Sequence, residues 1–257
     1  MNESITKTLL VSFLICLICS LVVSFAAVNL RDAQNENRLN DQRLKILQAG
    51  QIYNSNFDIK TQFDSIEVKF INFQTGKLTD KYDGLSIDSY DQVVASRDLL
   101  LSSKVPQGED IAIIKNRENI GKVYIVRDEL GNLSKIILPI RGFGLWATMF
   151  GYISLENDFN TIAGIEFYQH KETPGLGGEV DNAKWKSLWP GKKIYDENQN
   201  TLKVIKGKVD PDDSMYLYKV DGLSGATLTS RGITNMIEYW FSESGYSSML
   251  KELNYES

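Results

Sequence analysis

Histidine is almost missing from this chain. His170 is the single one among 257 residues. A site built from several imidazoles is therefore excluded, and a Ser-His-Asp arrangement would have to use that one side chain. His170 has no second imidazole with which to share a cation, so it reads as a strand-end residue and not as a ligand. Cysteine is nearly as scarce. Cys16 and Cys19 are the only two, and both lie in an apolar N-terminal stretch. The rest of the chain thus has no disulfide framework, no cysteine-rich zinc site and no thiol nucleophile. Positive charge is not in excess either. The formal net charge is -5 and no basic stripe stands out, which argues against a nucleic acid as partner. There is no internal repeat and no low-complexity segment.

The first feature that is present is a run of 23 uncharged residues, 8–30, rich in Leu, Val, Ile, Phe and Ala. As a helix rising about 1.5 Å per residue it would extend about 34 Å, enough for a hydrocarbon core about 30 Å thick. A secretory signal has a shorter apolar core of about 7–15 residues, although Ser24-Phe25-Ala26 loosely resembles a cleavage site. The run is expected to be a transmembrane helix, with 1–7 as a short tail and 31–50 as a helical linker. Leu39, Leu44, Ile46 and Leu47 carry the helical pattern onward. Cys16 and Cys19 share one face and suit small packing residues, since two thiols alone do not ligate an iron–sulfur cluster. Lys7 precedes the span, while Arg31, Arg38, Arg43 and Lys45 follow it. Read alone, the positive-inside rule puts the large domain in the cytoplasm.

Residues 51–257 read as one mixed domain, with 51–110 the least defined part. Strands are expected at 66–71, 122–127, 133–140, 148–156 and 161–170, the last four as two hairpins turning near Gly131-Asn132 and Asn157-Asp158. Shorter strands are expected at 192–195, 202–205 and 216–220. Helices are fewer: 91–102, stopped before Pro106; 182–189, closed by Pro190-Gly191; and one after Thr229. Hairpins with a few inserted helices predict an α+β fold.

Two glycine loops stand out. Glu172-Thr173-Pro174-Gly175-Leu176-Gly177-Gly178 joins a strand to the segment holding Trp185, Leu188 and Trp189. Its glycines suit either a tight connection or close approach to a ligand. The second loop is Asp221-Gly222-Leu223-Ser224-Gly225-Ala226-Thr227-Leu228-Thr229-Ser230. Behind it Ile233, Met236, Ile237, Trp240 and Phe241 fall at i, i+3, i+4, i+7 and i+8, which is one buried helical stripe. Thr227, Thr229 and Ser230 would then sit at a helix N-terminus. There they serve either as ordinary caps or as an anion site suited to a phosphate. Neither loop matches a Walker loop or G-x-G-x-x-G.

Asp221-Gly222-Leu223-Ser224-Gly225-Ala226-Thr227 resembles the flavinylation motif of the FMN-binding domain family. Glu172-Thr173-Pro174-Gly175-Leu176-Gly177 and Gly144-Leu145-Trp146 resemble two further signatures of that family, in the family's order. The resemblance extends over essentially the whole chain, anchor included. It implies FMN held covalently, by a phosphoester to Thr227, with Ser224, Gly225, Ala226 and Thr229 cradling the phosphate. It further implies that Leu145, Trp146 and Leu176 pack the isoalloxazine, with Gly175 and Gly177 in the same loop and Glu172 and Thr173 as polar contacts; Trp146 as plain core is the alternative. Within the family the chain is similar to the C-subunit branch of the sodium-translocating NADH:quinone oxidoreductases. The implied role is that of an electron relay within a multisubunit bacterial inner-membrane translocase, distinct from the part that binds NADH. A flavin transferase would mature it, and its domain would face the periplasm, against the charge count. The homologous subunit of an Rnf-type ferredoxin:NAD oxidoreductase and an anchored module holding a phosphate ligand noncovalently are the alternatives. No carboxylate lies in 8–30, so ion passage is expected in partner subunits.

Overall fold

A single helix, α1 (Ile5–Ala49), takes up the whole N-terminal region. In the computed structural model, which describes residues 4–256, this helix joins the expected span and linker without a break. Positions 1–3 of the expected tail and position 257 lie outside the described residues. Side chains across 8–30 are exposed, Cys16 and Cys19 among them. By length and composition α1 can cross a membrane. The chain divides into two compact units, Met1–Gln42 and Arg43–Ser257.

Along the second unit follow α2 (Ile59–Phe63), β1 (Glu67–Asn72), β2 (Leu78–Thr79), α3 (Gln92–Ala95), β3 (Ser102–Lys104), β4 (Asn116–Glu118), β5 (Ile120–Arg127), β6 (Leu133–Phe143), β7 (Thr148–Glu156) and β8 (Ile162–Gln169). Then come α4 (Ala183–Lys186), β9 (Lys203–Val204), β10 (Lys219–Val220), α5 (Thr227–Trp240) and α6 (Ser247–Glu256). Six strands form one antiparallel sheet in the order β2-β1-β5-β6-β7-β8. The fold is α+β, as the hairpin pattern predicts.

The alternation of side chains along β6 explains how the sheet is covered on both faces. Ile136, Leu138 and Ile140 enter the main core, where Ile233, Met236, Ile237 and Trp240 of α5 meet them. Ile137 points the other way, into a smaller cluster with Ile46 and Leu47 from the last turns of α1, and with Tyr124 and Tyr152. Each such fully buried side chain contributes about 1.5–3 kcal/mol. The predicted stripe of α5 is entirely in the core, so the sheet fixes where this helix starts.

Several expectations are corrected. The helix expected at 91–102 is a single turn, α3. Asp91 caps it by accepting from Val93 N and Val94 N at 2.8 and 3.1 Å. Val94, Leu99 and Leu100 are exposed, so no apolar face holds further turns, and 102–104 is strand instead. The helix expected at 182–189 is cut to α4. Leu188 N and Trp189 N bond back three residues, to Trp185 O and Lys186 O, which is the tighter 3₁₀ winding that fits just ahead of Pro190. Segment 192–195 makes only isolated bridges, and Tyr216–Tyr218 is a 3₁₀ turn that leaves Lys219–Val220 as the strand.

Candidate functional site

The site is built around the start of α5. The preceding loop turns at Gly225, whose φ of +69° is a left-handed conformation that glycine adopts without steric cost. Ala226 is the N-cap and no side chain caps the helix. The first intrahelical bond in the turn runs from Ser230 N to Ala226 O at 3.0 Å. First-turn N–H groups ahead of it have no partner within the helix, and they coincide with the positive end of its dipole. Ordinary capping by Thr227, Thr229 or Ser230 is therefore not what these hydroxyls do.

Burial separates the hydroxyls. Thr229 is 0% exposed and Ser230 is 4% exposed. Ser230 Oγ accepts from Leu223 N at 3.0 Å, and Thr229 Oγ1 donates to Glu172 Oε2 at 2.5 Å. Ser224 and Thr227 are exposed. Of the two threonines, only Thr227 presents its hydroxyl to an incoming group.

Glu172 draws the three signature segments together. It is buried, and its Oε1 accepts from Leu145 N at 2.9 Å and from Trp146 N at 3.1 Å while Oε2 takes the Thr229 hydroxyl. A Cβ on Gly144 would meet Glu172 Oε1 at 2.5 Å, and one on Gly177 would meet Glu172 Oε2 at 2.6 Å. Both glycines thus make room for one carboxylate. Trp146 Nε1 donates to Thr173 Oγ1 at 3.2 Å. His170 braces the same loop: its Nδ1 accepts from Glu172 N at 3.2 Å, and its Nε2 pairs with Asp181 Oδ2 at 2.9 Å. Leu145, Trp146 and Leu176 are 38%, 64% and 44% exposed. Trp146 is not core, and the three give the loops an apolar outer surface. Leu176 Cδ2 lies 2.9 Å from where a Cβ on Gly225 would sit, so it flanks the attachment loop directly.

Beside Thr227 opens a cavity of about 1030 Å³. Trp185, Leu188, Val204 and Leu223 give it apolar walls, while Ser224, Gly225 and Thr227 form one edge. Trp185 Nε1 donates to Asp221 O at 2.9 Å, which fixes the indole against the loop. Ile205 N donates to Val220 O and Gly222 N to Gly207 O, so the parallel β9–β10 pair carries Lys206-Gly207-Lys208 to the cavity's rim. Sequence reasoning did not single out these wall residues as a group. Trp185, Leu188 and Leu223 stand in or behind the two glycine loops, but their meeting with Val204 and Lys206-Gly207-Lys208 has no local signal, because the wall is assembled from segments distant along the chain. Leu145 and Trp146 lie outside the cavity's lining.

Comparison with known proteins fits this geometry. Residues 144–242 match the FMN-binding domain family, a range that spans all three signature segments. Over 98% of its length the chain is 46% identical to the C subunit of the Na(+)-translocating NADH-quinone reductase of Pseudomonas aeruginosa, covering 97% of that protein. The chain belongs to the C-subunit family of the Na(+)-translocating NADH-quinone reductases. The corresponding C subunit of Yersinia pestis is 38% identical, with 98% of this chain and 94% of that one covered. Among solved structures, Shewanella oneidensis NqrC superposes with a TM-score of 0.77 at 33% identity, covering 86% of this chain and 99% of that one. The C subunit of the Na(+)-translocating NADH-quinone reductase from Parabacteroides distasonis gives a TM-score of 0.64 at 28% identity, over 86% of this chain and 96% of that one. As a member of this family the chain has the α+β FMN-binding fold and one N-terminal helix of membrane-spanning length.

Proposed function

We propose that this chain is the membrane-anchored flavoprotein subunit of a sodium-translocating NADH:quinone oxidoreductase, with FMN joined to Thr227 by a phosphoester. The observation that carries the reading is the division of hydroxyls at the start of α5: Thr229 and Ser230 are buried and engaged, whereas Thr227 is exposed on an uncapped helix N-terminus. The first-turn N–H groups, with Ser224 and Gly225, would hold the phosphate. Trp185, Leu188 and Leu223 of the cavity wall would hold the isoalloxazine, with Leu176 at the Gly225 edge. Bound there, the flavin supplies reversible electron uptake. The chain holds it, covers it and links it to the membrane through α1, and partner subunits bind NADH and quinone. The domain, 51–257, faces the periplasm, where a covalent link keeps the cofactor from being lost.

The test is co-expression with a flavin transferase, followed by flavin fluorescence of the denatured protein on a gel. Wild type and Thr229→Val fluoresce, and Thr227→Val is dark. A dark wild type, or a Thr227→Val band as bright as wild type, would overturn the reading.

A further inference from the structure

The cavity beside Thr227 is lined by Lys184, Lys203, Lys206, Lys208 and Arg231, against one carboxylate, Asp221. Among the lining residues the balance is four positive charges, in a chain whose net charge is -5; Asp196, outside the lining, interacts with Lys203 among the five. Asp221 is partly occupied in holding the fold, since its Oδ1 accepts from Val209 N at 2.8 Å. The sign of the charge here is therefore reversed relative to the molecule as a whole. The collar is also more than a phosphate alone requires: its members come from α4, the β9–β10 region and α5, and so reach around the opening.

We propose that this cationic collar makes the cavity bind its ligand more tightly when the ligand carries more negative charge, and that it thereby raises the reduction potential of the flavin held there. The inference rests on the reading that the flavin occupies this cavity. When a one-electron carrier of the surrounding complex delivers an electron, the carrier is oxidised by one electron and the ring gains one negative charge. No bond of this chain forms or breaks. A single exposed lysine contributes little to such a process, because water and salt screen it. Five cations of one sign around one apolar recess add at the same point, and the apolar walls weaken the screening between them and the ring. Affinity for the reduced form over the oxidised form translates directly into potential, with a tenfold ratio corresponding to about 59 mV for one electron.

The test is potentiometric titration of the full-length, flavin-loaded protein in detergent, with mediators, at low and high ionic strength. Lys206→Gln/Lys208→Gln is compared with wild type and with Lys60→Gln/Lys81→Gln, whose lysines are exposed but do not line the cavity. At a fixed applied potential, the collar variant shifts the oxidised-to-reduced ratio about tenfold toward oxidised, about 59 mV for one electron. The control pair leaves the ratio unchanged, and high salt brings wild type toward the collar variant. In-gel fluorescence is read on the same samples. If the collar variant is fully fluorescent yet titrates as wild type does, or if both lysine pairs shift the ratio equally, the collar proposal is overturned while flavin attachment stands. If wild type carries no covalent flavin, the attachment reading itself fails, and the collar proposal falls with it.

Discussion

Glu172 shows how much one side chain can organise. One carboxylate satisfies two backbone N–H groups and a buried hydroxyl, and through them it ties the Leu145-Trp146 turn to the first turn of α5. Glu172→Ala leaves those donors without an acceptor, at about 1–3 kcal/mol for each buried group stranded. Glu172→Gln keeps an acceptor oxygen of the same reach and costs less. Urea melts of the two variants, alongside flavin loading, check this order; equal stability of both variants and wild type would contradict it. The close approach of Gly177 to the same carboxylate adds a second expectation. Gly177→Ala is destabilising alone, but part of its cost disappears in the Glu172→Ala background, because one of the two atoms it strikes, Glu172 Oε2, has gone while Thr229 Oγ1 remains. Strictly additive costs would show that the two positions do not share that space. Thr229→Val is expected to remain flavinylated while losing about 1–3 kcal/mol, since its role is to donate to Glu172 and not to accept a phosphoryl group.

At the scale of elements, both long hairpins turn on an aspartate. Asp128 accepts from Leu130 N, Asn132 N and Asn132 Nδ2 between β5 and β6, and these bonds, led by Asn132, lower its pKa. Asp158 accepts from Asn160 N, Thr161 N and Thr161 Oγ1 between β7 and β8. Burial raises the pKa of Asp158, but the Thr161 bonds outweigh it and the result is lowered. Depressed folded-state values mean that this stabilisation is complete above the ordinary carboxylate range and is lost as pH falls through the folded pKa. The melting temperature should therefore fall as pH drops below about 4, and Asp158→Asn should flatten that fall. An acid limb as steep in the variant as in wild type would contradict the assignment.

These same hairpins were legible in the sequence, because runs rich in Val, Ile, Tyr and Phe bounded by Gly131-Asn132 and Asn157-Asp158 have few other readings. The helix α5 was legible for the same kind of reason: its five apolar positions share one face. The 91–102 segment was not. Asp91 and the residues after it favour a helical turn, but nothing apolar supports more than one. Of the site, the loops and Thr227 were visible as local motifs. The engagement of Thr229 with Glu172, 57 residues away, and the cavity wall from Trp185 and Lys206 were not, since both depend on contacts made only after the sheet has formed.

For the whole molecule, the apolar stretch of α1 and the basic residues that follow it pose a topological question. The charge count points the domain inward, whereas the proposed role in the sodium-translocating complex points it outward. Protease added to intact spheroplasts is expected to degrade the domain beyond residue 51, and protection there would place it in the cytoplasm. Because 8–30 carries no carboxylate, substitutions confined to that stretch should leave sodium transport coupled to electron transfer, as measured in vesicles. Uncoupling with electron transfer intact would assign part of the ion path to this chain. All of this depends on one bond. Trypsin is expected to release residues 220–231 as a single peptide, since Lys219 and Arg231 flank it, and that peptide contains Ser224, Thr227, Thr229 and Ser230. Fragmentation mass spectrometry of the peptide from protein matured with a flavin transferase should find FMN on Thr227 alone. An adduct on Ser224 or Thr229, or an unmodified peptide, would contradict the account.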